Sequence, residues 1–581
     1  MLKEAIYHRP KQNWAYAYDE RTIHIRVRTK RDDVASVNVW YGDKFMPLST
    51  MQLQSMSLLT SDDLFDYWQA EVIPVFRRLV YGFQFKKGKD ELWLNERGFQ
   101  KNKLNRHDSG LFDFPFLNPV DVFKPPAWVK DAVFYQIFPE RFANGDPSND
   151  PDNVQPWGGK PLYNNYFGGD LQGIIDHLDH LTELGVNAIY FNPLFEANTN
   201  HKYDTSDYLK VDPHFGTNET LKALVAACHE RGIRVMLDAV FNHCGGKFPP
   251  FLDVQEKGAD SPYAGWFHVR EWPLEVKDLV PNYDTFAFEP HMPKLNTEHP
   301  DVKKYLFEVA RYWIEEVGID GWRLDVANEV DHQFWREFRQ VVKKINPETY
   351  ILGELFHDAM MWLQGDQFDA VMNYPFSFAL LDFFAKQQTG AAQFAQALNH
   401  QMVSYPQQAG EVAFNLLNSH DTERILTMCN NDPKRMKLSV TFLLTYIGAP
   451  CIYYGDEIGL TGGHDPDCRK CMIWDESEQD LDMFTFYQQM IALRNQHSAL
   501  RTGSFRFLVA DADDRRLAYE RVDTEGHFII LMNVSKRKRK ITLTLPIGTW
   551  QDVNSGHSLQ GTGKKQKVEL QALGYSIYRL V

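Results

Sequence analysis

The stretch GWRLDVANE, residues 321–329, places two charges inside a strand. Trp322, Leu324 and Val326 are apolar and alternate with Arg323 and Asp325, so the two faces of one strand carry opposite chemistry. Burying a charge without a partner is costly. A strand that carries Arg323 and Asp325 on one face therefore has a use for them. Seven further segments have the same short apolar texture: AVFYQIF (132–138), NAIYFNP (187–193), RVMLDAV (234–240), YILGEL (350–355), AVMNYP (370–375), VAFNLLNSHD (412–421) and PCIYYGDE (450–457). Helix-length amphipathic stretches lie between them, among them 171–184, 218–230, 302–316 and 331–344. Gly185, Gly232 and Gly318 stand where three of these helices should stop.

Eight strand-then-helix units predict a (β/α)8 TIM barrel. A doubly wound sheet is the competing parallel fold, but it wants a glycine-rich phosphate loop after its first strand, and FPERFANGD (138–146) is not one. A long connection between LDAVFNH and GWRLDV predicts an inserted subdomain after strand three. Residues 1–123 alternate as a β-sandwich does, in RTIHIRVRTK (21–30), ASVNVWYG (35–42) and LVYGFQF (79–85). In the first of these, Ile23, Ile25 and Val27 share one face and charges take the other. NPVDVFKPPAW (118–128) reads as the linker. The expected organisation is a sandwich at 1–123, a barrel at 124–242 and 297–502, an insert at 243–296, and a C-terminal β-sandwich at 503–581.

The chain carries 62 basic and 77 acidic residues for a net charge of −15, which argues against a nucleic-acid partner. No apolar run is long enough to span a membrane. The opening residues lack a signal-peptide core, and six cysteines in 581 residues make no disulfide framework, so a cytoplasmic protein is expected. Cys468 and Cys471 form a C-x-x-C with His464 nearby, a zinc or redox pattern without a second pair. Aromatics at 14% suit a site that stacks on flat apolar faces.

In such a barrel, chemistry sits where strands end. Strand two leads to Asn192 and a loop with His201, Tyr203 and Asp204. Strand three ends in Asp238, Asn242 and His243, strand four in Arg323 and Asp325, strand five in Glu354, and strand seven in His420 and Asp421. A bland alternative makes them separate ion pairs and caps, Asp421 capping a helix at TER. Asp238, His243, Glu354 and Asp421 could instead hold a metal, although no HxH or HExxH pair occurs. The third reading is acid–base work on a glycosidic bond, which needs one ionised carboxylate and one protonated acid. On that reading Arg323 lowers the pKa of Asp325, and the apolar flanks and carboxylate neighbours of Glu354 raise its own.

DAVFNH (238–243), GWRLDVANE, GEL (353–355) and NSHD (418–421), in that order, resemble the four signature stretches of the alpha-amylase family of glycoside hydrolases. MPKLN (292–296) resembles a fifth, and with VANEVDH (326–332) it points to the cyclomaltodextrinase, neopullulanase and maltogenic amylase group. The resemblance implies that Asp325 is the nucleophile, Glu354 the general acid/base and Asp421 the stabilising carboxylate. It implies that Tyr203, His243, Arg323 and His420 hold the sugar at the cleavage point, and that Asp465 and Arg469 bind the next sugar toward the non-reducing end. Asn296 and Glu329 fall in motif positions nearby, and Phe356 stands where many relatives carry tryptophan. NGDPSND (144–150) reads by itself either as Asx-turns or as oxygen ligands. The resemblance implies calcium held by Asn144, Asp146, Asn149, Asp150, Gly168 and Asp170. It also implies a homodimer and α-glucan substrates: cyclodextrin, maltooligosaccharide, pullulan or starch. The alternatives are a non-catalytic binding or assembly relative and a metal-dependent barrel hydrolase.

Overall fold

The computed structural model describes residues 1–104, 110–510 and 514–581. Eight parallel strands form one sheet: β1 Phe134–Ile137, β2 Ala188–Phe191, β3 Arg234–Ala239, β4 Gly321–Leu324, β5 Tyr350–Gly353, β6 Ala370–Val371, β7 Phe414–Leu416 and β8 Ala449–Tyr453. Their spatial order follows the chain, with β1 beside β8. A parallel bridge between Met372 and Phe414 brings β6 to β7 and nearly closes the barrel. Each of the eight expected strands is present.

Alternation along the strands sorts the side chains. Phe134, Tyr190, Met236, Leu352, Phe414 and Cys451 fill one buried cluster. Trp322 and Leu324 belong to the larger cluster packed with the helices. Arg323 is opposite Asp238 on β3 and Leu352 on β5. One strand thus turns its indole outward to apolar neighbours and its guanidinium inward.

The helices follow from their sequence signals. Thr217 and Thr220 form a capping box at Asn218–Glu230, which buries Leu221, Leu224, Val225 and Cys228. Asp331 caps His332–Ile345, which buries Phe334, Trp335, Phe338 and Val342. Gly185 at φ 90° and Gly318 at φ 84° end their helices in the left-handed region that glycine takes cheaply. The stretch expected as one helix at 302–316 is α-helical over Pro300–Tyr312 and widens to a π-turn at Trp313–Val317. There the Trp313 indole N–H donates to the Tyr208 carbonyl, and its ring stacks on Phe195 at 4.8 Å. Tertiary contacts overrode the local period.

The segment after β3 holds a short helix, Pro249–Lys257, and returns through antiparallel bridges His243–Lys294 and Phe267–Leu295. The N-terminal region is two antiparallel sheets around Ile23, Ile25, Val27, Val37, Val39, Phe83 and Phe85. Its first long strand departs from expectation, because His24 and Arg26 on the polar face are buried. That face docks on the barrel. Arg26 donates to the carbonyls of Tyr405 (2.8 Å) and Val403 (3.3 Å), and Gln408 donates to those of Ala17 and Tyr18.

The C-terminal region is a six-stranded antiparallel sheet with a second two-stranded one. Buried Arg521 reaches across its junction with the barrel, and buried Arg494 orders the barrel side of it. Arg494 donates to the carbonyls of Leu444, Tyr446, Gly448 and Leu500. Arg521 donates to those of Thr445, Leu500, Arg501 and Gly503. Among the described residues, no helix is long and apolar enough to cross a membrane.

Candidate active site

Arg323 is fully buried and central to the site. Its Nη1 lies 2.6 Å from Asp325 Oδ1 and 3.0 Å from Asp238 Oδ1, while Nη2 lies 2.5 Å from Glu354 Oε1. One guanidinium therefore meets three acids, and a full set of three charges would leave an excess of two. Burial raises the pKa of Asp325 and of Glu354, and pushes Asp238 up to about 6. Arg323 opposes this at all three, and Asp421 adds to the rise at Glu354. The set therefore favours keeping a proton.

This corrects the sequence reading of Asp325. A private arginine would have lowered its pKa, but Arg323 is shared with Asp238 and Glu354, and burial outweighs what remains. The reading of Glu354 as raised stands, though Arg323 also reaches it, which strand spacing did not reveal.

Immediately after Asp325 the chain makes a strained turn. Val326 sits at φ 46° and ψ 43°, in the left-handed region where a β-branched residue is an outlier. The turn aims the Val326 N–H at Glu354 Oε2, 3.0 Å away.

A second layer fixes the aromatic and imidazole groups. Tyr190 donates to Asp238 Oδ2 at 2.7 Å, and the Tyr203 hydroxyl lies 3.0 Å from the same oxygen. Tyr203 lies parallel to His420, with ring centres 5.5 Å apart. Gln136 Nε2 donates to His420 Nδ1 at 3.0 Å, so the ring proton belongs on Nε2, which faces Tyr203 Oη (2.8 Å) and Asp421 Oδ1 (3.2 Å). Burial, Arg469 and Arg323 all hold His420 neutral. His243 is also held neutral, its pKa pushed down to about 3 chiefly by burial, and its buried Nε2 has no partner. Its ring packs on Phe286 at 5.0 Å.

Arg469 reaches Asp465 Oδ1 (3.0 Å) and Asp421 Oδ1 (3.4 Å), and bonds the His420 carbonyl at 2.9 Å. Asp421 caps no helix; Arg424 occupies the N-cap position of the helix that follows, without a side-chain cap. The structure thus brings Tyr203, Arg323, Asp325, Glu354, His420, Asp421, Asp465 and Arg469 into one connected set. Asn296 instead bonds the Gly265 carbonyl, and Phe356 stacks on Tyr374 at 3.8 Å. Gln136 and Tyr190 were not singled out from sequence. Their signal was a polar atom at an inward-facing position of an apolar strand.

Cys468 and Cys471 are buried free thiols, and the Cys468 Sγ points to the His420 carbonyl at 3.1 Å, whereas His464 is exposed. Among the described residues, no group of three or more His, Cys, Asp or Glu is placed to hold a metal.

The 144–150 loop folds against Asp170. Asp170 accepts from the N–H groups of Gly145 and Asp146, and the Asn149 amide reaches it at 3.3 Å. Asn144 donates to Asp150 Oδ1 at 2.8 Å. The Oδ1 atoms of Asn144 and Asn149 are buried without a partner. A Cβ on Gly168, at φ 80°, would fall 2.1 Å from Asp150 Oδ1. Five of the six expected ligands therefore share one oxygen-rich spot. The Asp146 carboxylate instead accepts from Ser148.

Acids gathered in this way at the C-terminal ends of parallel strands define the class, a barrel glycoside hydrolase. The chain belongs to the alpha-amylase family: residues 136–503 match the alpha amylase catalytic domain and residues 1–118 the alpha amylase N-terminal ig-like domain. It is 60% identical over 537 residues to a cyclomaltodextrinase of Bacillus sp, covering 92% of this chain and 96% of that protein. It is 45% identical to neopullulanase 2 of Thermoactinomyces vulgaris, covering 98% of each. A solved structure described as cyclomaltodextrinase superposes with a TM-score of 0.96 at 56% identity over the whole of both chains.

Proposed function

We propose that this protein cleaves α-1,4 and some α-1,6 glucosidic bonds in cyclodextrins, maltooligosaccharides, pullulan or starch, with retention of configuration. The observation that carries this reading is the convergence of Asp325 and Glu354 on the two terminal nitrogens of one buried arginine. Carboxyls about 5–5.5 Å apart suit a covalent glycosyl-enzyme and wider pairs suit direct attack by water, and two acids drawn to one guanidinium support the closer arrangement. Asp325 attacks the anomeric carbon as Glu354 gives its proton to the leaving oxygen, and the carbon–oxygen bond breaks. Glu354, now ionised, takes a proton from water, whose oxygen attacks the same carbon and frees Asp325. A sugar hydroxyl in place of water gives transglycosylation.

The remaining roles follow the contacts. Arg323 offsets the charge that Asp325 and Glu354 exchange. Asp421, joined to His420 and Arg469, steadies the distorted sugar. Tyr203 lies under the sugar ring, and the unpartnered His243 Nε2 supplies a hydrogen bond to it. Asp465 and Arg469 hold the next residue toward the non-reducing end. Asn144, Asn149, Asp150, Gly168 and Asp170, with Asp146 through its backbone, suit calcium by their oxygen donors. The ion would brace this loop and takes no part in the chemistry.

Six free thiols support a reducing, cytoplasmic location. Exposed Phe45 and Phe76, which lie 5.3 and 6.0 Å from the Arg78 guanidinium, together with exposed Ile73 and Val75 in the same turn, support a homodimer in which that domain walls the partner's cleft. Product analysis on cyclodextrin, pullulan and starch in parallel tests the reading, with proton NMR following the anomer first released. Initial α-anomers are expected; initial β-anomers, or no turnover of any of the three, would overturn it. Sedimentation equilibrium at micromolar concentration checks the dimer, and a monomer would remove that element.

A further inference from the structure

We propose that Tyr163 is a stacking platform that extends the glucan cleft beyond Asp465 and favours longer linear chains; this rests on the α-glucan reading above. Tyr163 is 65% exposed, yet its polar end is tethered. Its hydroxyl donates to the Asp465 carbonyl at 2.9 Å. Asp465 is in turn one guanidinium, that of Arg469, away from Asp421.

The loop that carries Tyr163 is pinned from the other side as well. Asn200 Nδ2 donates to the carbonyls of Asn165 (2.8 Å) and Leu162 (3.4 Å), and Arg141 donates to Asn165. Asn200 directly precedes the His201–Tyr203 segment of the cleft. Tyr163 is thus strung between two walls of the site, the Asp465–Arg469 loop and the Tyr203 loop. Trp157 repeats the arrangement, its indole N–H donating to the Met472 carbonyl at 2.9 Å while the ring remains partly exposed.

A tyrosine whose polar end is satisfied by protein presents an apolar face to whatever lies alongside. The apolar face of a pyranose is the matching surface for a chain leaving the cleft past Asp465. Because the tether already fixes the ring, little side-chain freedom is lost when a sugar stacks on it. Short substrates that do not extend past Asp465 would not reach the ring.

The test compares maltotriose and maltohexaose hydrolysis by the full-length parent, Tyr163→Ala and Tyr163→Phe, with melting temperatures measured alongside. Tyr163→Ala should raise KM for maltohexaose relative to maltotriose by about two- to tenfold, with the kcat ratio unchanged. Tyr163→Phe keeps the ring but loses its tether, and should recover part of that difference. An equal change on both substrates, no change, or a Phe variant as poor as Ala would overturn the proposal. A parent enzyme that turns over cyclodextrin but neither oligosaccharide would overturn this proposal alone, and one that turns over none of the three would overturn the glucan reading with it. Turnover without a chain-length effect would overturn this proposal alone.

Discussion

The backbone N–H of Val326 donates to Glu354 Oε2 at 3.0 Å, and it does so from the left-handed region. The residue after one acid therefore orients the other. Strain of this kind costs about 1–3 kcal/mol and persists only where surroundings impose it. Val326→Gly should change stability by less than about 1 kcal/mol, because released strain offsets lost packing and added freedom of the unfolded chain. Denaturant titration measures it. A loss above about 2 kcal/mol would show that the turn carries no strain worth releasing.

Asp325→Asn and Glu354→Gln should each lower kcat on cyclodextrin by about a hundredfold or more, with the far-UV circular dichroism unchanged. In Glu354→Gln, a substrate with a good leaving group such as fluoride should recover much of the first step, since no proton is then needed. Asp325→Asn should recover nothing. Rescue of both, or of neither, contradicts the division of roles.

The pH profile of kcat/KM should be bell-shaped with both limbs above the usual carboxylate range. Asp325 acts ionised, and burial raises its pKa, so activity falls as pH drops through that raised value. Glu354 acts protonated, and burial and Asp421 raise it, so activity falls as pH rises through its value. Asp421→Asn removes one of those causes. The residual activity of that variant should lose its alkaline limb at lower pH than the parent; an unmoved or higher limb would refute the coupling.

Chelation should lower the melting temperature more than it lowers the rate per folded molecule. Gly168→Ala should lower it too, by roughly 2 kcal/mol or more in stability, since the new Cβ would meet Asp150 Oδ1 at 2.1 Å and φ is 80°. Calorimetry of both proteins with and without chelator decides. If chelator moves neither melting curve, calcium does not brace the 144–150 loop.

The barrel was legible because its strands and helices carry different periods, and because Trp322–Leu324 and Arg323–Asp325 separate by parity on one strand. The acids were legible as charges in apolar runs. Parity cannot say how far a side chain reaches across a neighbour, so the contact of Arg323 with Glu354 stayed hidden, and the upward shift of Asp325 comes first from its burial, which parity does not report. Gln136 and Tyr190 were overlooked because a polar tip on an aromatic or amide side chain does not break an apolar pattern. Arg26 lies on the polar face that alternation identifies, but alternation reports two faces and cannot tell water from a docking domain. The π-turn at Trp313–Val317 coincides with the contacts of Trp313 to Tyr208 and Phe195, both distant in sequence and invisible to local periodicity.

Arg494 and Arg521 each donate through their terminal nitrogens to several carbonyl oxygens at the foot of the last barrel helices. A chain stopped at residue 503 would retain all eight strands and every acid of the cleft. It would nonetheless strip the Thr445 carbonyl of the Arg521 donor that reaches it across the junction. The C-terminal sandwich is thus a keystone, and excising it would loosen the masonry beneath β8.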